Sequence, residues 1–331
     1  MSRERVSIVV VVAMAILMLS TTSRAVSSPA APPVDALDQA RQQFEAGRYG
    51  EAANLLNARV EYAPRDAVAY FWLGRSRFEL RDYAGAIAAL ERGVQLNPDD
   101  SEYHRWLGRI YGEEADRKRS LSLAGRVRRQ FENAVRLGPQ NFAARRDLLQ
   151  YYLEAPWILG GGDDKARQQV TAIAALDSNE GHVAYAAYLA HRSDYSQAAA
   201  EYRAAVNARP ARIDSCFEAA EFFEKREDAG GLRAAVEGAA SVDASEPRLL
   251  YFRGVAGVIA GAEPAAAESL LHQYLAVPAR SDRPSASAAH EWLGRLYEKS
   301  GRVAAARSEY RASTALNPDR KSPKERLRRL E

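Results

Sequence analysis

The chain has 331 residues, 47% hydrophobic and 27% charged, ample for a substantial core; length alone sets a soft expectation of about two domains. Its formal charge is +3, but +2 of that sits in the first 25 residues and +4 in the last twelve, which leaves residues 26–319 near −3. A body of that sign lacks the basic face that grips phosphate backbones, so no nucleic-acid partner is expected.

Residues 1–25 read as a secretory signal. Arg3 and Arg5 precede an apolar run from Val6 to Leu19, broken only by Ser7, and Ser23-Arg24-Ala25 supplies a small-x-small cleavage site. The run is shorter than the roughly 20 apolar residues that span a bilayer, and no cysteine follows it for a lipid anchor. The expectation is cleavage near Ala25, no stable membrane insertion afterwards, and a periplasmic or secreted chain. A retained N-terminal anchor is the alternative. Residues 26–33, VSSPAAPP, form a flexible lead-in.

From residue 34 to 320 the sequence repeats itself. AYFWLGRSRFEL (69–80), YHRWLGRIYGEEA (103–115) and AHEWLGRLYEKSG (289–301) share a skeleton of aromatic or His, a Leu-Gly pair and a further large residue. Pro64, Pro98, Pro139, Pro210, Pro278 and Pro318 close units, with Ser178 and Ala244 where proline is missing; the steps are 34, 41, 39, 32, 34, 34 and 40. A second ladder runs in parallel: Ala52, Ala86, Val127, Ala166, Ala198, Leu232, Ala266 and Ala306 each open a second helix. Two markers agree on eight units. Gly74, Gly108, Gly254 and Gly294 sit where paired helices cross, Trp72, Trp106 and Trp292 fall on the buried stripe, and proline stops the second helix in six of the eight units.

This pattern resembles the tetratricopeptide repeat, a 34-residue helix–turn–helix unit. The resemblance implies an all-α, right-handed superhelical solenoid of about eight hairpins. Residues 321–331 read as a C-terminal capping helix opened by Ser322-Pro323. The 41-residue step holds about seven extra residues in 113–130, close to two helical turns, so a lengthened hairpin keeps its faces in phase. That arm carries six basic and three acidic residues, and is either an exposed hairpin or a docking arm for an anionic partner. The 40-residue step holds SDRPSA (281–286), a plain linker.

The 39-residue step contains APWILGGGDDKA (155–166), where glycines precede a helix as they do in phosphate cradles. No strand precedes it and no Gly-Lys-Ser/Thr closes it, and Asp163 and Asp164 are expected to cap the helix and repel phosphate. It reads as a turn. Cys216 is the only cysteine and reads as a small buried residue; C-x-x-C zinc sites are excluded. None of the five histidines forms H-E-x-x-H, and His104 and His290 share one repeat position, which suits packing. No G-x-S-x-G elbow occurs, although a Ser-His-Asp set assembled by folding is invisible in one sequence. No enzyme, metal or cofactor is expected.

The resemblance also implies that the first helix of each repeat lines the inner face. Its ninth positions are Arg41, Arg75, Arg109, Gln150, Ala187, Glu221, Val255 and Arg295. Phe71, Phe78, Arg105 and Arg146 fall at groove positions nearby, and Val183, Phe217, Tyr251, Val255 and Val258 give a more apolar stretch. Such a groove suits an extended peptide or protein with acidic and hydrophobic parts. Arg41–Glu45, Arg75–Glu79 and Arg109–Glu113 are also i, i+4 pairs, which stabilise a helix by about 0.2–0.5 kcal/mol each without any ligand. Both readings of the arginines stand. The expected function is a non-catalytic interaction scaffold of the cell envelope; the alternative is an accessory domain of an envelope enzyme system that holds a glycan or peptidoglycan-related substrate.

Overall fold

The computed structural model describes residues 36–330 apart from 209 and 211. The expected signal and lead-in, like residue 331, lie outside the described residues. Among the described residues every regular element is helical. The first four hairpins pair α1 (Ala36–Glu45) with α2 (Tyr49–Tyr62), α3 (Ala67–Glu79) with α4 (Tyr83–Leu96), α5 (Ser101–Lys118) with α6 (Leu121–Leu137), and α7 (Phe142–Glu154) with α8 (Asp163–Leu176). The next four pair α9 (Ser178–His191) with α10 (Tyr195–Asn207), α11 (Ile213–Lys225) with α12 (Ala229–Val242), α13 (Arg248–Ala260) with α14 (Pro264–Leu275), and α15 (Ala286–Lys299) with α16 (Val303–Leu316). A last helix, α17 (Lys321–Leu330), packs on α16 as a cap.

Local chemistry sets these boundaries. Asp66, Asp82, Asp100, Asn141, Asp177, Asp194 and Asp228 each accept a hydrogen bond from a backbone N–H in the first turn of the helix that follows. The closing prolines fall two or three residues past the second helices, where no helical N–H is needed. Between paired helices the small residues allow close approach. A Cβ built on Gly74, Gly108, Gly254 or Gly294 would lie 2.6, 2.6, 2.7 or 2.5 Å from Leu90, Phe131, Leu271 or Tyr310 respectively.

The eight-unit ladder holds with one correction. The inward residue lies three places after the first residue of the second helix in seven of the eight repeats; in repeat seven this makes it Ala267, buried at 2% exposure, and not Ala266, which is exposed, while in the lengthened repeat three Val127 lies six places on. Gly254 and Ala267 are 13 residues apart, against 12 for Gly74 and Ala86 or Gly294 and Ala306, so one extra residue precedes the buried position; Gly261 and Glu263 beside it both have positive φ.

The lengthened hairpin α5–α6 keeps its register. His182 and His290 bond Glu201 and Glu309, each 19 residues on, whereas His104 bonds Gln130, 26 residues on. The difference is the seven-residue insertion, two whole turns, so the side chains beyond it still meet. All three histidines serve to pin the first helix of a hairpin to the second.

Candidate functional site

The first helices of repeats three to seven line a concave groove of about 830 Å³. Arg105, Arg109 and Arg146 line it together with Glu218, Glu221, Lys225 and Arg248, and Arg146 comes within 3.9 Å of Glu218. A smaller pocket of about 390 Å³ continues from Arg109 past Phe78, Phe131 and Gln150. Residues 281–284, the expected plain linker, form part of the wall. That expectation is overturned: this connection reaches back across the superhelix to the first two repeats.

The arginine ladder does not pair as the i, i+4 spacing suggests. Arg41 is exposed, reaches Asp38 at 3.9 Å, and lies over the Trp72 ring. Glu45 is held instead by Arg280 at 2.8 Å, and Glu79 accepts from both the backbone N–H and the hydroxyl of Ser281, at 2.9 and 2.7 Å. Arg75 is packed among rings, its guanidinium 4.3 Å from Trp106, 4.8 Å from Phe44 and 4.9 Å from Trp72, with a buried Nε that has no partner. Burial, and then the neighbouring Arg280, pull its pKa below the usual arginine value. Arg109 lies 4.7 Å from the Trp106 ring. Among the described residues neither Arg75 nor Arg109 has a carboxylate partner.

Arg105 and Arg146 differ. Arg105 is neutralised by Asp147 at 2.8 Å and Glu102 at 3.1 Å, and Arg146 by Glu180 at 3.2 Å with Ser215 at 2.9 Å. They wall the groove but bring little free positive charge to it. Phe71 stacks on Tyr103 and Phe78 lies edge-on to Trp106, so both serve chiefly to seat the rings around Arg75.

The apolar stretch predicted for repeats five to seven is core. Val183, Val255 and Val258 are 0–1% exposed, and Tyr251 at 1% donates its hydroxyl to Glu224 at 2.5 Å. Phe217 touches the groove, yet it is 3% exposed and covered by the Arg248 guanidinium. The cause is tight curvature. Trp292 of repeat eight donates to Glu224 of repeat six at 2.7 Å, and Arg295 pairs with Glu227 at 2.7 Å, so repeat seven is sealed between its neighbours.

The carboxylates of α11 went unremarked in sequence apart from Glu221. Burial raises all three of Glu218, Glu221 and Glu224; Glu218 is pushed up to about 7, with Glu221 and Glu180 adding to the rise and Arg146 opposing it. Only the helical spacing 218, 221, 224 could have shown that they share a face.

The glycine turn is a turn. Gly160 N–H donates to Trp157, Gly161 N–H to Pro156, and Gly162 N–H to Tyr152, so the amides a phosphate would need are spent internally. Gly161 is required by close approach, since a Cβ there would lie 1.8 Å from the Ala155 carbonyl oxygen. One detail differs from expectation: the helix is capped by Gly162 without a side-chain bond, and Asp163 instead binds Tyr188 at 2.8 Å and the Arg167 and Arg192 guanidiniums. Cys216 is fully buried, and burial pushes its thiol up to about 12.

Two family profiles described as tetratricopeptide repeat match residues 43–110 and 263–321. No curated protein matches the chain. Among solved structures, yeast Tom70 is similar with a TM-score of 0.58 at 15% identity, over 89% of this chain and 62% of that one. A tetratricopeptide repeat protein from Parabacteroides merdae ATCC 43184 gives a TM-score of 0.46 at 10% identity, over 89% and 97%. YrrB, a TPR protein with an unusual peptide-binding site, gives 0.37 at 13% identity, over 66% and 91%. The likeness to Tom70 is one of fold. The chain carries tetratricopeptide repeats at both ends and folds as a superhelical solenoid of eight helix hairpins with a C-terminal cap.

Proposed function

We propose that the chain is a non-catalytic protein-interaction scaffold of the cell envelope, whose groove receives an extended peptide or protein segment bearing acidic side chains. Repeat solenoids present extended concave surfaces of this kind. The observation that carries the reading is Arg109, which lines the groove against the Trp106 ring without a carboxylate partner among the described residues, with Arg75 packed on the same ring from the repeat before. Packing against the ring leaves the Arg109 guanidinium on the groove wall free of an internal carboxylate, and charge-assisted bonds to a carboxylate are the strong ones.

A labelled peptide alternating Glu with Leu serves as the probe. It is expected to bind the mature chain, to weaken with added salt, and to lose about tenfold in affinity when Arg75 and Arg109 are both replaced by glutamine. Circular dichroism checks that the fold survives. Unchanged, salt-insensitive binding by the double variant would remove the groove from the proposal. Export rests on the basic, apolar and small residues of 1–25. Sequencing of protein purified from its native cells is expected to start near Val26; an intact Met1 on membrane-bound protein would replace export with anchoring.

A further inference from the structure

The connection between α14 and α15 contains two prolines, two arginines and one aspartate across 278–284, PARSDRP. Nothing in that composition calls for a packing partner. The structure nevertheless lays it against the first two repeats, more than 200 residues away in sequence, through a run of directional contacts. Pro278 sits on Gly47, where a Cβ would come within 2.5 Å of the proline ring; only glycine allows that approach, and it also takes a φ of +73° there. Tyr49 donates its hydroxyl to the Ala279 carbonyl at 2.5 Å. Arg280 spans Glu45 at 2.8 Å and Asp282 at 2.6 Å. Ser281 gives its backbone N–H and its hydroxyl to the one carboxylate of Glu79.

Two features distinguish this from ordinary loop packing. A backbone carbonyl and a backbone N–H two residues apart are both read by side chains of the rim, which is how an extended peptide is held. Beyond Ser281 the segment turns into the groove, where Asp282, Arg283 and Pro284 line the same cavity as Arg105, Arg109 and Arg146. Burial works against the charge on Asp282, yet Arg280, with Arg248 and Arg283 nearby, holds its carboxyl below the usual range. Its field also acts on Arg75. An acidic side chain from the chain itself therefore stands in the electrostatic position proposed above for a partner's.

We propose that the rim of Glu45, Tyr49 and Glu79 is a docking site for an extended arginine–serine segment, that the chain's own strap 278–284 is its resident occupant, and that a partner entering the groove displaces it. Only the last clause rests on the groove function proposed above. The contacts are few and Glu45 is 56% exposed, so each is individually weak in water. Tethering compensates, because a short linker holds the segment at an effective concentration in the millimolar range. The strap is thereby seated in the free protein, and a partner's apparent affinity is reduced by the fraction of molecules in which it is open.

The test replaces 278–284 by a glycine–serine segment of equal length in the full chain, and adds a labelled synthetic peptide of residues 276–285 in trans. The peptide is expected to bind the strap-replaced chain at least about tenfold more tightly than the wild type, and to lose that binding when E45Q and E79Q are added. Equal affinity for both chains, or none for a strap-replaced chain with an unaltered circular dichroism spectrum, overturns the docking site. Should the replacement not fold, E79Q in the otherwise intact chain gives a second reading. Amide exchange at 279–283, above all at Ser281, is then expected to quicken about tenfold, and unchanged protection overturns the proposal. The Glu–Leu probe separates the two ideas: tighter binding to the strap-replaced chain supports displacement, and binding to neither form removes displacement and the groove function while strap-peptide binding still upholds the docking site.

Discussion

Valine at Gly108 is expected to lower stability by about 3 kcal/mol, while alanine at Gly112, one turn further along α5, raises it by about 0.5–1 kcal/mol. The two glycines share a helix and have opposite surroundings. A Cβ on Gly108 would lie 2.6 and 2.7 Å from ring atoms of Phe131, with the Gln130 Cβ at 3.3 Å. Phe131 is itself buried at 7% exposure and belongs to the main core, so the ring has nowhere to turn. The branched side chain must then push α5 from α6, and overpacking of a close crossing costs up to about 3 kcal/mol or somewhat more. At Gly112 nothing lies within 4 Å, and alanine simply removes the entropy that glycine loses in a helix. Midpoints of urea unfolding followed by circular dichroism decide the matter. Equal and small effects at both sites would mean that the hairpin crossing is looser than the distances imply.

Glu218→Gln is expected to stabilise the protein at pH 8 by on the order of 2 kcal/mol and to change little at pH 5. The carboxyl is raised from 4.5 to about 7, first by burial and then by Glu221 and Glu180, against the opposing Arg146. A carboxyl raised in this way is held protonated by the fold. It costs nothing below its unfolded value, and its ionisation weakens the native state progressively as pH climbs from about 4.5 through about 7. The full shift would correspond to about 3 kcal/mol, reduced because 32% of the side chain remains exposed. Glutamine keeps the shape and removes the charge, while Arg146 retains Glu180 and Ser215. Thermal melts of both proteins at the two pH values provide the check. A variant that is destabilised at pH 8 would show that Glu218 works there as an ion-pair partner.

How far the sequence speaks depends on the range over which its signals act. Closing prolines and the Gly–large-residue crossing act within one hairpin and were legible at their positions, whereas the capping expected of Asp163 and Asp164 went to Gly162. The seven-residue insertion was legible too, because two helical turns leave the phase of His104 and Phe131 intact. In repeat seven one residue added between Gly254 and the second helix's buried position moved it from Ala266 to Ala267, and the left-handed Gly261 and Glu263 accompany that shift. The groove was harder. Position within a helix told which side chains face inward, but not how tightly the superhelix curls, so Val255 is fully buried and Tyr251 meets Glu224, itself held by Trp292, and not open space. Likewise Glu45 and Glu79 had near partners at i−4 and chose ones in the strap, whose separations of 235 and 202 residues leave no periodic trace.

The strap also changes what kind of object the solenoid is. A stack in which each unit touches only its neighbours behaves as a linear array with two free ends, and such arrays fray from those ends. Here the connection between the seventh and eighth units is bonded to the first and second, which makes the array closer to a ring. The first hairpin then has a neighbour on both sides, one adjacent in sequence and one reached by closure. Its opening becomes tied to that of the seventh and eighth units, so local melting at one end is felt at the other. Closing so large a loop in an unfolded chain carries the entropy of the intervening residues, so the link adds stability chiefly once the chain between has ordered.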